Sequence, residues 1–231
     1  MIGILVQLAV SGLIIWLFEK GNLSFLGLYP TKQRIIDFFF FLLVTAFCCA
    51  TEFLFRMYFG KEQWTINPAI SFSLIVKGLW WNIKSVLFEE LIFRGVLFYI
   101  LLKKLGAAKA IIISASAFGM YHWFSQESWG NITQMAITFV ITGIMGLVYA
   151  YGYAKTYSLY IPCAIHIGWN ATRSVLFSDK LIGDQFLVQV KPVPVVSVSY
   201  FAYFLVFLFP LVSAIVINYL LLKKRKQVII Y

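Results

Sequence analysis

Residues 132–154 read ITQMAITFVITGIMGLVYAYGYA, a run without one Asp, Glu, Lys or Arg. Roughly 20 apolar residues in a helix cross a bilayer core, and a helix satisfies its own backbone polar groups where no water can. The stretch is therefore read as a transmembrane helix. Similar runs predict helices near 2–18, 34–57, 69–87, 87–102 and 108–125 before it, and near 158–177 and 198–222 after it. Hydrophobic residues make up 61% of the 231 and charged residues 12%, against roughly 45–50% and about 25% in a soluble domain. A soluble chain so poor in charge lacks the polar surface to cover itself. The expected fold class is all-α: a polytopic transmembrane helical bundle, one domain over 1–231, with about eight spans. The count falls to seven if 69–87 is interfacial. Lys77 and Lys84 share one face of that segment beside Trp80 and Trp81, as in interfacial helices or in spans lining a polar interior.

Nineteen Lys and Arg against nine Asp and Glu give a formal charge of +10. On a soluble protein that excess suggests nucleic acid. Here the cations sit between apolar runs, as in membrane-facing loops, and no nucleic-acid partner is expected. Lys103, Lys104 and Lys109, then Lys155, then Lys223, Lys224, Arg225 and Lys226 fall on one side when successive helices alternate. That side is expected to be cytoplasmic, with the C-terminus, in a bacterial plasma membrane. Lys20, Lys32 and Arg34 favour an inside loop only if 69–87 does not span. The final basic cluster reads as a stop-transfer anchor, with anionic-lipid binding as the sharper alternative. The connection 178–197, with Asp179, Asp184, Pro192 and Pro194, reads as a surface loop. Cys48, Cys49 and Cys163 lie in apolar runs without C-x-x-C spacing and read as small buried hydrophobes. No basic residue precedes Lys20, so 2–18 reads as a retained helix, and Val228–Tyr231 carries no lipidation box.

Ionisable groups inside a span are costly and so mark candidate functional residues. Three runs hold them: Glu89-Glu90-Leu91-Ile92-Phe93-Arg94, Phe118-Gly119-Met120-Tyr121-His122, and His166-Ile167-Gly168-Trp169-Asn170. Glu90 and Arg94, four apart, are placed to form a structural ion pair on one face. Glu89 points about 100° away, towards another neighbour. His166 and Asn170 share a face, and Phe118 reads as packing above His122. Measured from Lys103, Lys109 and Lys155 at about 1.5 Å per residue, Glu89, His122, His166 and Asn170 all reach roughly 16–22 Å. Three helices are thus expected to build one site. A carboxylate with an imidazole activates water, while an imidazole and an amide donate hydrogen bonds to an oxyanion. Glu89, His122 and His166 would equally make a three-ligand zinc site with an open position. Residue chemistry leaves metal activation and direct Glu/His activation both open. Ser114, Ser116 and Ser125 lie in no nucleophile-elbow setting. Glu52 and Arg56, four apart, read as a second structural pair.

In order and on separate helices, Glu89-Glu90-x-x-x-Arg94, Phe118-x-x-x-His122 and His166-x-x-x-Asn170 resemble the motifs of the CPBP (Abi) family, the CAAX proteases and bacteriocin-processing enzymes. The resemblance covers a catalytic core at about 85–175. It implies an intramembrane endopeptidase in which Glu89 and His122 activate water, His166 and Asn170 stabilise the oxyanion, and Glu90 and Arg94 hold the motif helix. The family is customarily labelled metalloprotease, yet its eukaryotic branch looks glutamate-dependent. No cofactor is favoured here, with zinc the alternative. The implied partner is a membrane-associated or lipidated peptide, cut in CAAX-type processing or in bacterial peptide or bacteriocin maturation and self-immunity. A proton-coupled transporter and a non-catalytic immunity or scaffold protein are the competing readings.

Overall fold

The structure, a computed structural model, describes residues 2–178 and 182–226, so the readings made on Asp179 and on Val228–Tyr231 lie outside the described residues. The architecture is all-α. Its helices are α1 (Ile2–Glu19), α2 (Lys32–Phe59), α3 (Phe72–Arg94), α4 (Val96–Leu105), α5 (Ala107–Ser125), α6 (Ile132–Thr156), α7 (Tyr160–Ala171), α8 (Tyr200–Phe207) and α9 (Phe209–Lys223). A 3₁₀ turn, Leu23–Leu26, follows α1, and a π-helical turn, Thr172–Leu176, follows α7. By length and composition α1, α2 and α6 are able to cross a membrane, and α8 with α9 add a fourth if that pair, bent by 48°, is one span.

Two predicted boundaries move. The segments 69–87 and 87–102 are not two helices divided near 87. One helix runs from Phe72 to Arg94, and the ten-residue α4 follows the break at Gly95. The carboxylate motif therefore ends α3 rather than opening the next helix, and no continuous helix links Glu89 to Lys103. The depth measured between those two residues loses its basis. The run 198–222 is likewise two helices rather than one. Pro210 stands in the first turn of α9, where a ring without an N–H interrupts the hydrogen-bond ladder. The connection 178–197 is not wholly irregular: strand β2 (Leu187–Gln189) pairs antiparallel with β1 (Trp64–Ile66), Thr65 opposite Val188.

The described residues form two compact units interleaved along the chain. The first holds 2–38, 86–163 and 219–226. Its centre is the α5–α6 hairpin, where small residues allow close approach. A Cβ at Gly119 would stand 2.8 Å from the Phe139 ring. Asn131 caps α6 through the Gln134 N–H. Gly27, at φ 61°, ends the 3₁₀ turn, which docks on the α6–α7 corner. There Tyr153 Oη donates to the Phe25 carbonyl (2.6 Å) and Ser158 Oγ to the Gly27 carbonyl (3.0 Å).

The second unit holds 39–85 and 164–218. Cys49, Phe53 and Phe177 centre its core, with the two phenyl rings stacked 4.0 Å apart. Asn67 Nδ2 donates to the Gln185 carbonyl at 2.8 Å, tying the β1 end to the segment before β2. Cys48, Cys49 and Cys163 are all buried, as expected.

Candidate active site

Arg94 closes α3 and is fully buried, as is Glu90 one turn earlier; Nη1 and Oε1 are 3.3 Å apart. Nη2 donates to the Gly146 carbonyl of α6 at 3.0 Å. The guanidinium carbon lies 4.4 Å from the Phe118 ring centroid and 5.2 Å from that of Tyr149. A planar cation stripped of water is stabilised by a counter-ion, a carbonyl acceptor and π faces together. A Cβ at Gly146 would stand 3.2 Å from Nη2 and 3.1 Å from Phe118 Cδ1, so the bare glycine lets the guanidinium in.

Glu89 faces a different neighbour, as its place on the helix predicts. Its Oε2 lies 3.9 Å from His122 Nε2 of α5, with the two side chains 13% and 11% exposed. His122 Nδ1 is 2.8 Å from the Phe118 carbonyl oxygen. A carbonyl only accepts, so Nδ1 carries a proton, and Nε2 is the ring nitrogen turned to Glu89. The Phe118 ring packs on the imidazole with centroids 4.4 Å apart, and Tyr121 stands edge-on at 5.4 Å. Phe118 thus touches both the buried cation and the histidine.

His166 and Asn170 lie one turn apart on α7, in the second unit. His166 is buried and Asn170 partly exposed. The turn is braced from behind. Ser174 Oγ donates to the Asn170 carbonyl (2.7 Å) and receives Asn82 Nδ2 (2.9 Å), while Thr172 Oγ1 donates to the Gly168 carbonyl (2.7 Å). Hydroxyls returning to carbonyls four residues back compete with the helical ladder, and they coincide with the π turn. Gly168 lies flush on α2, where a Cβ would come 2.5 Å from the Leu42 carbonyl oxygen.

The first unit therefore brings Glu89, Glu90, Arg94, Phe118 and His122 together. The Glu52–Arg56 pair exists at 3.7 Å, but each member has a further partner: Arg173 for Glu52, and Glu62 at 3.0 Å for Arg56. Arg173 escaped the sequence reading although it is ionisable and lies within the apolar run 158–177. Gly146 and Tyr149 also escaped it, being neutral and on a helix without a polar motif. Glu89 and His122 supply two donors of the kind zinc takes, where a catalytic site uses three. Among the described residues no further His, Cys, Asp or Glu makes a cluster of three with them inside this unit. The unit by itself does not assemble a three-ligand site.

No curated protein and no solved structure matches the chain. Residues 71–172 match the family described as Type II CAAX prenyl endopeptidase Rce1-like, a stretch that begins just before α3 and ends just after Asn170. That stretch takes in all three motifs, so the likeness to the Rce1-like CAAX endopeptidases falls on residues 71–172.

Proposed function

We propose that the protein cuts a peptide bond in a membrane-associated or lipidated substrate, using water activated by Glu89 and His122. The observation that carries this reading is the Glu89–His122 pair. A largely covered carboxylate stands 3.9 Å from an imidazole whose tautomer is set by the Phe118 carbonyl. Glu89 takes a proton from water as the oxygen adds to the scissile carbonyl, and returns it to the amine as the C–N bond breaks. His122 Nε2 holds the water or shares that proton. His166 and Asn170 supply donors to the oxyanion, a role that rests on their H-x-x-x-N motif. The substrate class is a CAAX-type tail or a bacterial peptide undergoing maturation.

Mass spectrometry of membrane peptides, from cells carrying the protein and from cells carrying Glu89→Ala, identifies the cleaved species. Glu89→Ala, His122→Ala and His166→Ala are each expected to cut it at least 100-fold more slowly while remaining folded and membrane-inserted. Cleavage by all three variants at the parental rate overturns the reading. Elemental analysis of the purified protein decides the zinc alternative on Glu89, His122 and His166: stoichiometric zinc that is lost in His122→Ala would establish it.

A further inference from the structure

Away from the motifs, the first unit contains a cavity of about 560 Å³ where the start of α2, the start of α7 and the end of α9 converge. Arg34, Lys224, Arg225 and Lys226 line it, and Asp37 is the one carboxylate among its lining residues. Asp37 is engaged by Arg225 at 2.6 Å. Arg34, Lys224 and Lys226 thus bring three further positive charges to the same space. Thr31 Oγ1 accepts the Arg34 N–H, and Ser158 Oγ the Tyr160 N–H, at the first turns of α2 and α7. Two helix N-termini with their positive dipole ends therefore open on the cavity. Helix dipoles and an excess of cations make an environment suited to a phosphate.

The helices that carry these cations indicate where the phosphate comes from. Ile35 and Ile36, directly after Arg34, are 44% and 50% exposed, and Leu220 on α9 is 49% exposed. Exposed apolar side chains on the same two helices as the cations suit acyl chains rather than an anion delivered from solution. We propose that the cavity binds the phosphate of an anionic membrane lipid, with Arg34, Lys224 and Lys226 on the headgroup and the chains lying over Ile35, Ile36 and Leu220. The basic cluster is then a lipid site as well as a topological anchor.

Native mass spectrometry of the full chain in detergent, titrated with phosphatidylglycerol, phosphatidylcholine or inorganic phosphate, tests this. Phosphatidylglycerol is expected to be retained and phosphatidylcholine not. Arg34→Gln and the double variant Lys224→Gln/Lys226→Gln are each expected to weaken retention by about fivefold per charge removed. Lys104→Gln/Lys109→Gln removes two charges from the α4–α5 corner and is expected to leave retention unchanged. Equal loss in that control pair overturns the proposal in favour of diffuse electrostatics. Equal binding of both lipids, or binding indifferent to all these substitutions, overturns it outright. Binding of inorganic phosphate at matching affinity, lost in the same variants, assigns the cavity to a soluble phosphate instead. Lys224 and Lys226 are exposed, so their double variant keeps the test open if Arg34→Gln fails to fold.

Discussion

Arg94 is bound by Glu90, the Gly146 carbonyl and two aromatic faces, all without water. Removing one partner of a buried ion pair strands the other charge, at a cost of about 3–5 kcal/mol. Arg94→Ala and Glu90→Ala are each expected to lose that much in thermal unfolding of the detergent-solubilised protein. The double replacement Glu90→Leu/Arg94→Met should lose less than the two single losses combined, because no charge is then left buried. Arg94→Lys keeps the charge but neither the planar fork nor the stacking on Phe118, and should lower stability. Gly146→Val fills the space the guanidinium occupies and should fall in the same range. Half of this environment was readable from sequence. Spacing of four assigns Glu90 to Arg94, and about 100° of helical rotation sends Glu89 elsewhere. Gly146 and Tyr149 carry no charge and no spacing signal, and they become partners of Arg94 only when α6 packs against α3.

The break between α3 and α4 was hidden because Leu91-Ile92-Phe93-Arg94-Gly95-Val96-Leu97 has no proline and a single glycine, which a helix tolerates. The backbone at the break accommodates only glycine: a Cβ at Gly95 would run into the Leu91 carbonyl oxygen. The two accounts predict opposite signs. In a continuous helix Gly95→Ala would stabilise the protein by up to about 1 kcal/mol. At this break it is expected to lower the melting temperature and, by disturbing the last turn of α3, slow cleavage. The π turn after α7 was hidden for a related reason. Hydrophobic periodicity carries no trace of the Thr172 and Ser174 hydroxyls turning back on Gly168 and Asn170. Gly168, by contrast, stands in the motif run itself, and its value is close approach. Gly168→Leu should cost about 1–3 kcal/mol as α7 is levered off Leu42. The bend at Leu208 was the most readable of the three, since Pro210 was in plain view.

Contacts inside the first unit also bear on how often the chain crosses the membrane. Glu19 at the end of α1 pairs with Lys103 at the end of α4. Tyr99, one turn before Lys103, packs on both Phe25 and Tyr157. The Leu159 N–H donates to the Leu26 carbonyl, and Arg225 pairs with Asp37 near the start of α2. The basic corners at Lys20, Arg34, Lys103, Lys155 and Lys224 therefore gather at one end of this unit. If that end lies on one side of a membrane, the chain between Arg34 and Lys103 crosses an even number of times. Separate spans at 34–57, 69–87 and 87–102 would make three crossings and put Arg34 opposite Lys103. These contacts favour seven crossings over eight, and the positive-inside pattern predicts the cation-rich end on the cytoplasmic side. Labelling in intact cells with a membrane-impermeant maleimide tests this against a low background, because all three native cysteines are buried. Lys32→Cys and Lys224→Cys are both expected to stay unlabelled until the cells are opened, whereas Glu127→Cys, at the α5–α6 corner, reacts at once. An eight-span chain would instead label Lys32→Cys from outside while Lys224→Cys stayed protected, and that single result would separate the start of α2 from the end of α9.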